Sequence, residues 1–282
     1  MTDSFEHLRD WVGKQELRND IVAPWPISAL AATLDDAKLP VDPGSPVPNG
    51  WHWIFFLEAK PGSELGVDGH PKRGGFLPPV PLPRRMWAGG RLEFMRALKI
   101  GDAITRESEI VSVEPKTGRS GTLVFVTVRH TVQVAGTTAI IEEQDIVYRE
   151  AARKGDPLPA GKPAPANAQW TRRVMPDSTL LFRYSALTFN GHRIHYDQDY
   201  AINEEHYPGL VVHGPMQATL LLDLCRQNAK QPVKKFEYRA QHPMFAGHAF
   251  SVNGNFDPAT SQADLWTAND AGNYAMRGTA SF

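Results

Sequence analysis

The sequence predicts an α+β protein in which antiparallel sheet curls around a buried helix, with the sheet-forming unit present twice. Three observations carry this. Residues 122–134 alternate apolar and polar side chains, the two-residue period of a half-buried strand. Residues 216–228 are apolar around most of a helical circumference, as in a helix inside a protein. A segment from Glu150 to Ala168, with Pro157, Pro159, Pro163 and Pro165 among Ala, Gly and Lys, divides the chain into two halves that share a weak repeat.

The first half is mostly strand-like. A strand over 103–113 is followed by a turn signal at Pro115-Lys116-Thr117-Gly118. In 122–134, Val124, Val126, Val128, Val132 and Val134 share one face; Thr127, Arg129, Thr131 and Gln133 share the other. Ala135-Gly136-Thr137 then turns the chain into an apolar run over 139–148, so these three strands read as an antiparallel meander. In the second half, Pro215 marks a helix start, because proline at the first helical position loses no hydrogen bond and has the right φ. Phe250, Val252 and Phe256 share a strand face, and two further strands over 265–267 and 274–282 flank the turn Asn269-Asp270-Ala271-Gly272. The repeat lies in Leu92-Glu93-Phe94, followed by Arg96-Ala97 and residues 101–104. Its counterpart is Phe236-Glu237-Tyr238, followed by Arg239-Ala240 and residues 247–250. The expected organisation is residues 1–150 as one half that shapes the substrate site, 151–168 as linker, and 169–282 as the half carrying the chemistry.

Composition excludes several classes of function. The 282 residues carry a net charge of −1, with 41% hydrophobic and 22% charged residues, ordinary for a soluble globular chain. Without excess positive charge, nucleic-acid and anionic-membrane partners are not expected. The start, Met1 to Glu6, lacks the basic and apolar regions of a signal peptide. The longest apolar stretch, residues 210–225, is too short and too polar to span a bilayer. Its single cysteine, Cys225, allows no intrachain disulfide and fits a reducing compartment, so a cytoplasmic location is expected. A homodimer or higher oligomer is left open.

Polar groups are densest between Phe182 and His213, just before the buried helix. His192, Arg193, His195, Tyr196 and Asp197 fall within six positions. One reading is a solvated loop with Asp197 capping a short helix over 198–205. The other is catalytic: the free N–H groups and positive dipole end at Gly214-Pro215 favour developing negative charge. A neutral histidine beside a carboxamide can activate a water, and helix-terminal N–H groups can hold a thioester oxygen as it becomes enolate-like. A metal on His192 and His195, with Asp197 or His213, is conceivable, but a histidine pair alone is weak evidence and no metal is expected. Ser185 lacks a Gly-x-Ser-x-Gly elbow, Cys225 reads as a small core residue, and neither dinucleotide nor phosphate loop is present.

The runs Phe189-Asn190-Gly191-His192-Arg193-Ile194-His195-Tyr196-Asp197 and Tyr207-Pro208-Gly209-Leu210-Val211-Val212-His213-Gly214-Pro215 resemble the MaoC-like hydratase family. They are closest to its branch of 3-hydroxyacyl-thioester dehydratases and mesaconyl-C4-CoA or itaconyl-CoA hydratases. The stretch from Gly69 to Pro79 is similar to the same branch. The resemblance implies a double hotdog, two antiparallel sheets each wrapped around a helix. It implies a loop aspartate and histidine holding the attacking water, here Asn190 and His195, and a backbone N–H at Gly214 polarising the thioester carbonyl. Asparagine orients water but exchanges no proton as a carboxylate does, which places the acid/base work on His195, with Asp197 or another group as helper. Arg193, where the common loop has proline, reads either as a substrate-carboxylate binder or as a partner of Asp197 or Asp199. Arg84, Arg85 and His213 are further substrate candidates, for the acyl group or the CoA phosphates, each with an ordinary structural alternative.

The expected function is reversible hydration of a short, branched, dicarboxylic 2-enoyl-CoA such as mesaconyl- or itaconyl-CoA. Coenzyme A enters as part of the substrate, and no other cofactor is expected. The alternatives are a 3-hydroxyacyl-ACP or -CoA dehydratase, an acyl-CoA thioesterase and a non-catalytic acyl-CoA-binding module.

Overall fold

A computed structural model describes residues 3–118, 121–158 and 160–282. Its ten strands are β1 (Gln15–Ile21), β2 (Arg84–Phe94), β3 (Ala103–Gly118), β4 (Gly121–Val134), β5 (Thr137–Arg149), β6 (Trp170–Val174), β7 (Lys235–Ala240), β8 (Phe250–Asp257), β9 (Gln262–Ala268) and β10 (Tyr274–Ser281). All belong to one antiparallel sheet in the order β1-β3-β4-β5-β2-β7-β10-β9-β8-β6. Read from either edge to the centre, the order is the same: first, third, fourth, fifth and second strand of each half. The expected two sheets are therefore joined edge to edge. The seam is β2 against β7, with Leu92 opposite Phe236 and Gly90 opposite Tyr238. These two strands carry the sequence repeat. A seam between equivalent strands leaves neither half with an unpaired inner edge.

Three α-helices lie in the connections: α1 (Pro24–Thr33), α2 (Ser178–Leu187) and α3 (Gly214–Asn228). Helix α1 follows β1 as α2 follows β6, and the two pack against each other. Asp177 caps α2, its side chain accepting a hydrogen bond from the Leu180 N–H at 2.7 Å. Helix α3 is the expected apolar helix, with Met216 through Cys225 all buried against the second half of the sheet. Among the described residues the first half has no helix equivalent to α3: recurrent prolines between Pro40 and Pro83 disfavour one. Its sheet is covered instead by α1, by the single turn Trp51–Ile54 and by irregular chain.

The meander stands with one correction. β3 runs straight through Pro115-Lys116-Thr117-Gly118, which pairs with β4 as far as Gly118 opposite Gly121. Proline is tolerated there because β1 pairs β3 only as far as Glu109, so the missing N–H faces a free edge. Between β5 and β6 lies chain without regular structure, tied down where Pro163 bridges to Asn273. No helix among the described residues is long and apolar enough to cross a membrane.

Candidate active site

Two hydrogen bonds bring the loop after α2 to the start of α3. The Val211 N–H donates to the Ile194 carbonyl at 2.9 Å, and the Val211 carbonyl lies 2.7 Å from His195 Nδ1. The second bond settles the imidazole tautomer. Nδ1 carries the hydrogen, because a carbonyl can only accept, and Nε2 keeps its lone pair. Burial pushes the His195 imidazolium down to about 4, slightly opposed by the Val211 bond, so the ring is neutral at ordinary pH. His213 stacks on it with ring centres 3.6 Å apart.

His213 itself is fully enclosed, with Nε2 2.8 Å from Ser185 Oγ. With no exposed surface it cannot touch substrate, so the expectation of a substrate contact is corrected: His213 backs His195. Ser185 is not a nucleophile in an elbow but the group that holds His213 in place. Cys225 is likewise a core residue, its thiol pushed by burial up to about 12.

Gly214 begins α3, and its N–H has no acceptor among the described residues. Its φ is not positive, and a Cβ there would meet nothing nearer than the Trp87 carbonyl oxygen at 3.9 Å. Neither backbone conformation nor packing requires glycine here. The space beside it is open. Trp87, whose carbonyl oxygen is that nearest neighbour, packs edge to face on Trp53 at 5.0 Å and on Tyr238 at 5.6 Å. Trp87 Nε1 and the Tyr238 hydroxyl are buried without partners. Trp53 Nε1 donates to Glu142, which also meets His52 Nε2 at 2.9 Å.

The arginines sort cleanly. Arg84 is buried, with Nε 2.7 Å from Glu205 and a further bond to the Glu205 carbonyl, so its place as a substrate candidate is corrected to a structural clamp. Arg193 donates from Nε and Nη2 to Asp197 and from Nη1 to the Val67 carbonyl, the pairing that the sequence had left as an alternative. Asp197 also accepts from the Tyr200 N–H at 3.1 Å, capping the short helical turn as the solvated-loop reading anticipates. Arg85 alone of the three has no carboxylate partner among the described residues. By register it shares the α3-facing side of the sheet with Tyr148 and Trp87, and its charge acts on His70 and His192. Asn190 accepts the His192 N–H at 3.0 Å, which leaves its amide N–H groups free to donate.

Sequence reasoning expected the first half to shape the substrate site but missed its Asp68 and His70. The loop 66–71 seats on the loop that carries His192 and His195: Arg193 N–H donates to the Asp68 carbonyl, and a Cβ on Gly69 would collide with the carbonyl oxygen of Gly191. Gly69 also has φ +85°, so glycine is demanded twice over. The loop carries Asp68 and His70, with the His70 ring 4.2 Å from His192 and His192 edge to face with His195 at 5.6 Å. Burial, with the neighbouring histidines, pushes the His192 imidazolium down to about 2. The donor atoms of Asp68, His70 and His192 lie within 4.8 Å of one another. Within this group the Asp68 carboxylate and Nδ1 of His70 are hydrogen-bonded to each other at 3.2 Å. The Asp-x-His spacing within a glycine-rich loop was the available signal. A surface recess of ≈ 780 Å³ lined by Arg91, Asp145, Glu237 and Arg277 lies on the opposite sheet face, away from this cluster.

With the geometry in place, comparison with known proteins is decisive. Residues 50–246 match the family model of hydroxyacyl-thioester dehydratase type 2. The chain belongs to this family. Mesaconyl-C(4)-CoA hydratase of Chloroflexus aurantiacus is 49% identical over 238 residues, covering 83% of this chain and 84% of that protein. The fold agrees with that of a MaoC-like dehydratase (TM-score 0.70, 15% identity, 95% of this chain and 97% of the other). It also agrees with a Mycobacterium tuberculosis protein described as having a double hotdog fold (TM-score 0.58, 13% identity, 96% and 97%). The double hotdog is thus the architecture of this family member, and its relatives are hydro-lyases acting on thioesters.

Proposed function

We propose that this dehydratase-family protein catalyses the reversible syn hydration of a short, branched, dicarboxylic 2-enoyl-CoA of the mesaconyl or itaconyl kind. The observation that carries the reading is a buried, neutral His195 with a free Nε2, on the loop after α2 that is hydrogen-bonded to the chain entering α3, where the Gly214 N–H is open. His195 Nε2 accepts a proton from the attacking water, and the Asn190 amide donates to that water's oxygen. As the oxygen bonds to the β-carbon, electrons move onto the thioester oxygen, which the Gly214 N–H and the α3 dipole stabilise. The proton returns to the α-carbon. These steps need no metal or redox group. The same steps reversed dehydrate a 3-hydroxyacyl thioester, the reaction named for the family.

The first half shapes the acyl site. Arg85, without a carboxylate partner among the described residues, and the unpartnered donors of Trp87 and, from the second half, Tyr238 suit a second carboxylate. The similarity to mesaconyl-C(4)-CoA hydratase supports the same substrate class. The test is loss of the ultraviolet enoyl-thioester band with crotonyl-, mesaconyl- and itaconyl-CoA, alongside a thiol assay. Preference for a dicarboxylic substrate, selectively lost in Arg85→Ala and kept in Arg193→Ala, is the expected result. Thiol release without hydration would make the protein a thioesterase, and ligand binding without turnover would make it a binding module.

A further inference from the structure

The steps above leave Asp68 and His70 unused, although the fold spends two glycines on delivering them. Within their loop the Gly66 N–H donates to the His70 carbonyl at 2.7 Å, and the Gly69 N–H donates to the Gly66 carbonyl at 3.0 Å. Asp68 Oδ1 accepts the His70 backbone N–H at 3.0 Å, and Oδ2 lies 3.2 Å from His70 Nδ1. Burial alone would raise the Asp68 carboxyl, but the hydrogen bonds from His70 hold it below the usual carboxylate range. An ionised Asp68 only accepts, so Nδ1 of His70 carries the hydrogen. Nε2 then holds a lone pair without a protein partner among the described residues.

His195 differs in one respect. Its Nδ1 partner is the neutral Val211 carbonyl, so a proton taken at Nε2 creates a buried cation with no counter-charge. The loop does not supply one: Asp197 is occupied by Arg193 and the Tyr200 N–H, and position 190 is an amide. Among the described residues Asp68 is the carboxylate that reaches the histidine cluster, and it does so through His70.

We propose that His70, oriented by Asp68 and supplied by the first half of the chain, takes the water's proton in place of His195, which then serves as hydrogen-bond acceptor to the water. The proposal rests on the hydratase reading. Water lies between Nε2 of His195 and Nε2 of His70. Its oxygen bonds to the β-carbon, and the π electrons of the double bond move through the carbonyl onto the thioester oxygen. One O–H bond leaves its electrons on oxygen and its proton on His70 Nε2, where the imidazolium faces Asp68. The enolate re-forms its carbonyl as the α-carbon takes that proton back. Hydrogen and hydroxyl have then been added, and His70 is neutral again. His195 holds the water's second hydrogen and so directs the oxygen lone pair.

The test measures kcat, KM and the pH profile of kcat/KM for wild type, His70→Gln, Asp68→Asn and His195→Ala, with melting curves for each. His70→Gln lowers kcat by about 10²-fold or more with little change in KM. Asp68→Asn keeps an acceptor for the His70 N–H, so it guards against a folding defect, and it lowers kcat by about tenfold. The charges facing His70 are Asp68, Arg73, Arg85 and His192. Removing the negative one disfavours the imidazolium, so the acid limb of kcat/KM moves to lower pH. The proposal is overturned if His70→Gln stays within about threefold of wild type, or if the acid limb of Asp68→Asn does not move, while His195→Ala is inactive. Were the wild type to hydrate no enoyl thioester, the hydratase reading itself would fall and this proposal with it.

Discussion

Replacing Gly214 with alanine separates catalysis from stability. The added Cβ would lie 3.9 Å from its nearest neighbour, an ordinary contact, at a backbone conformation that any L-residue adopts. Nothing in the folded chain must move. Alanine also has fewer unfolded conformations than glycine, so Gly214→Ala should leave stability unchanged or raise it by about 0.4–1 kcal/mol. For a chain of this size that is a rise in Tm of roughly 1–4 °C. The same methyl fills the space beside the N–H that is to receive the thioester oxygen. Losing one such donor costs about 10²–10³ in kcat. The assay pairs thermal unfolding with the ultraviolet hydration rate on the best enoyl-CoA. A variant at least as stable as wild type but about 100-fold slower supports the reasoning; one as fast as wild type refutes it, because the open space would then not be the oxyanion site.

Other outcomes follow from the same geometry. His195→Ala should lower turnover by about 10²–10⁴; near wild-type rates on the true substrate would remove His195 from the mechanism. Arg84→Ala leaves Glu205 unpaired in a mostly buried place and should cost about 3 kcal/mol in urea unfolding, and an unchanged midpoint would show that the clamp contributes nothing. Because folded His195 binds its proton only at about 4, against about 6.5 unfolded, its contribution is intact above pH 6.5. It is lost as pH falls from there toward 4, while the unfolded chain takes up protons that the folded site refuses. A His195→Gln variant should therefore show a shallower fall in Tm across that window than wild type. Gly69→Ala should displace the loop carrying His70, and protection from proteolysis at residues 66–72 equal to wild type would contradict that contact.

What could be read from the sequence was whatever repeats locally. The alternation in 122–134 places Val124 through Val134 on the core face because side chains in a strand point alternately to opposite sides. The apolar circumference of 216–228 required burial, and Pro215 marked its start. Residues 115–118 carry a turn pattern yet continue as strand, because β1 pairs β3 only as far as Glu109 and the free edge beyond it accepts Pro115.

The candidate site, too, was visible in the chain, since Asn190, His195 and Gly214 lie within 25 positions of one another. Residue types alone showed which groups could do chemistry there. Which of them are free to do it was decided by the tertiary structure. Arg84, Arg85 and Arg193 are chemically equal in sequence, and only their neighbours distinguish a clamp on Glu205, a cation without a carboxylate partner among the described residues and a partner of Asp197. His213 and His195 differ likewise by whether a ring nitrogen keeps an open side. Above all, Asp68 and His70 lie more than a hundred residues from His195, and two facing glycines close that gap by letting backbone touch backbone. Local periodicity determines elements; partners, tautomers and counter-charges depend on contacts between distant segments, which no local pattern encodes.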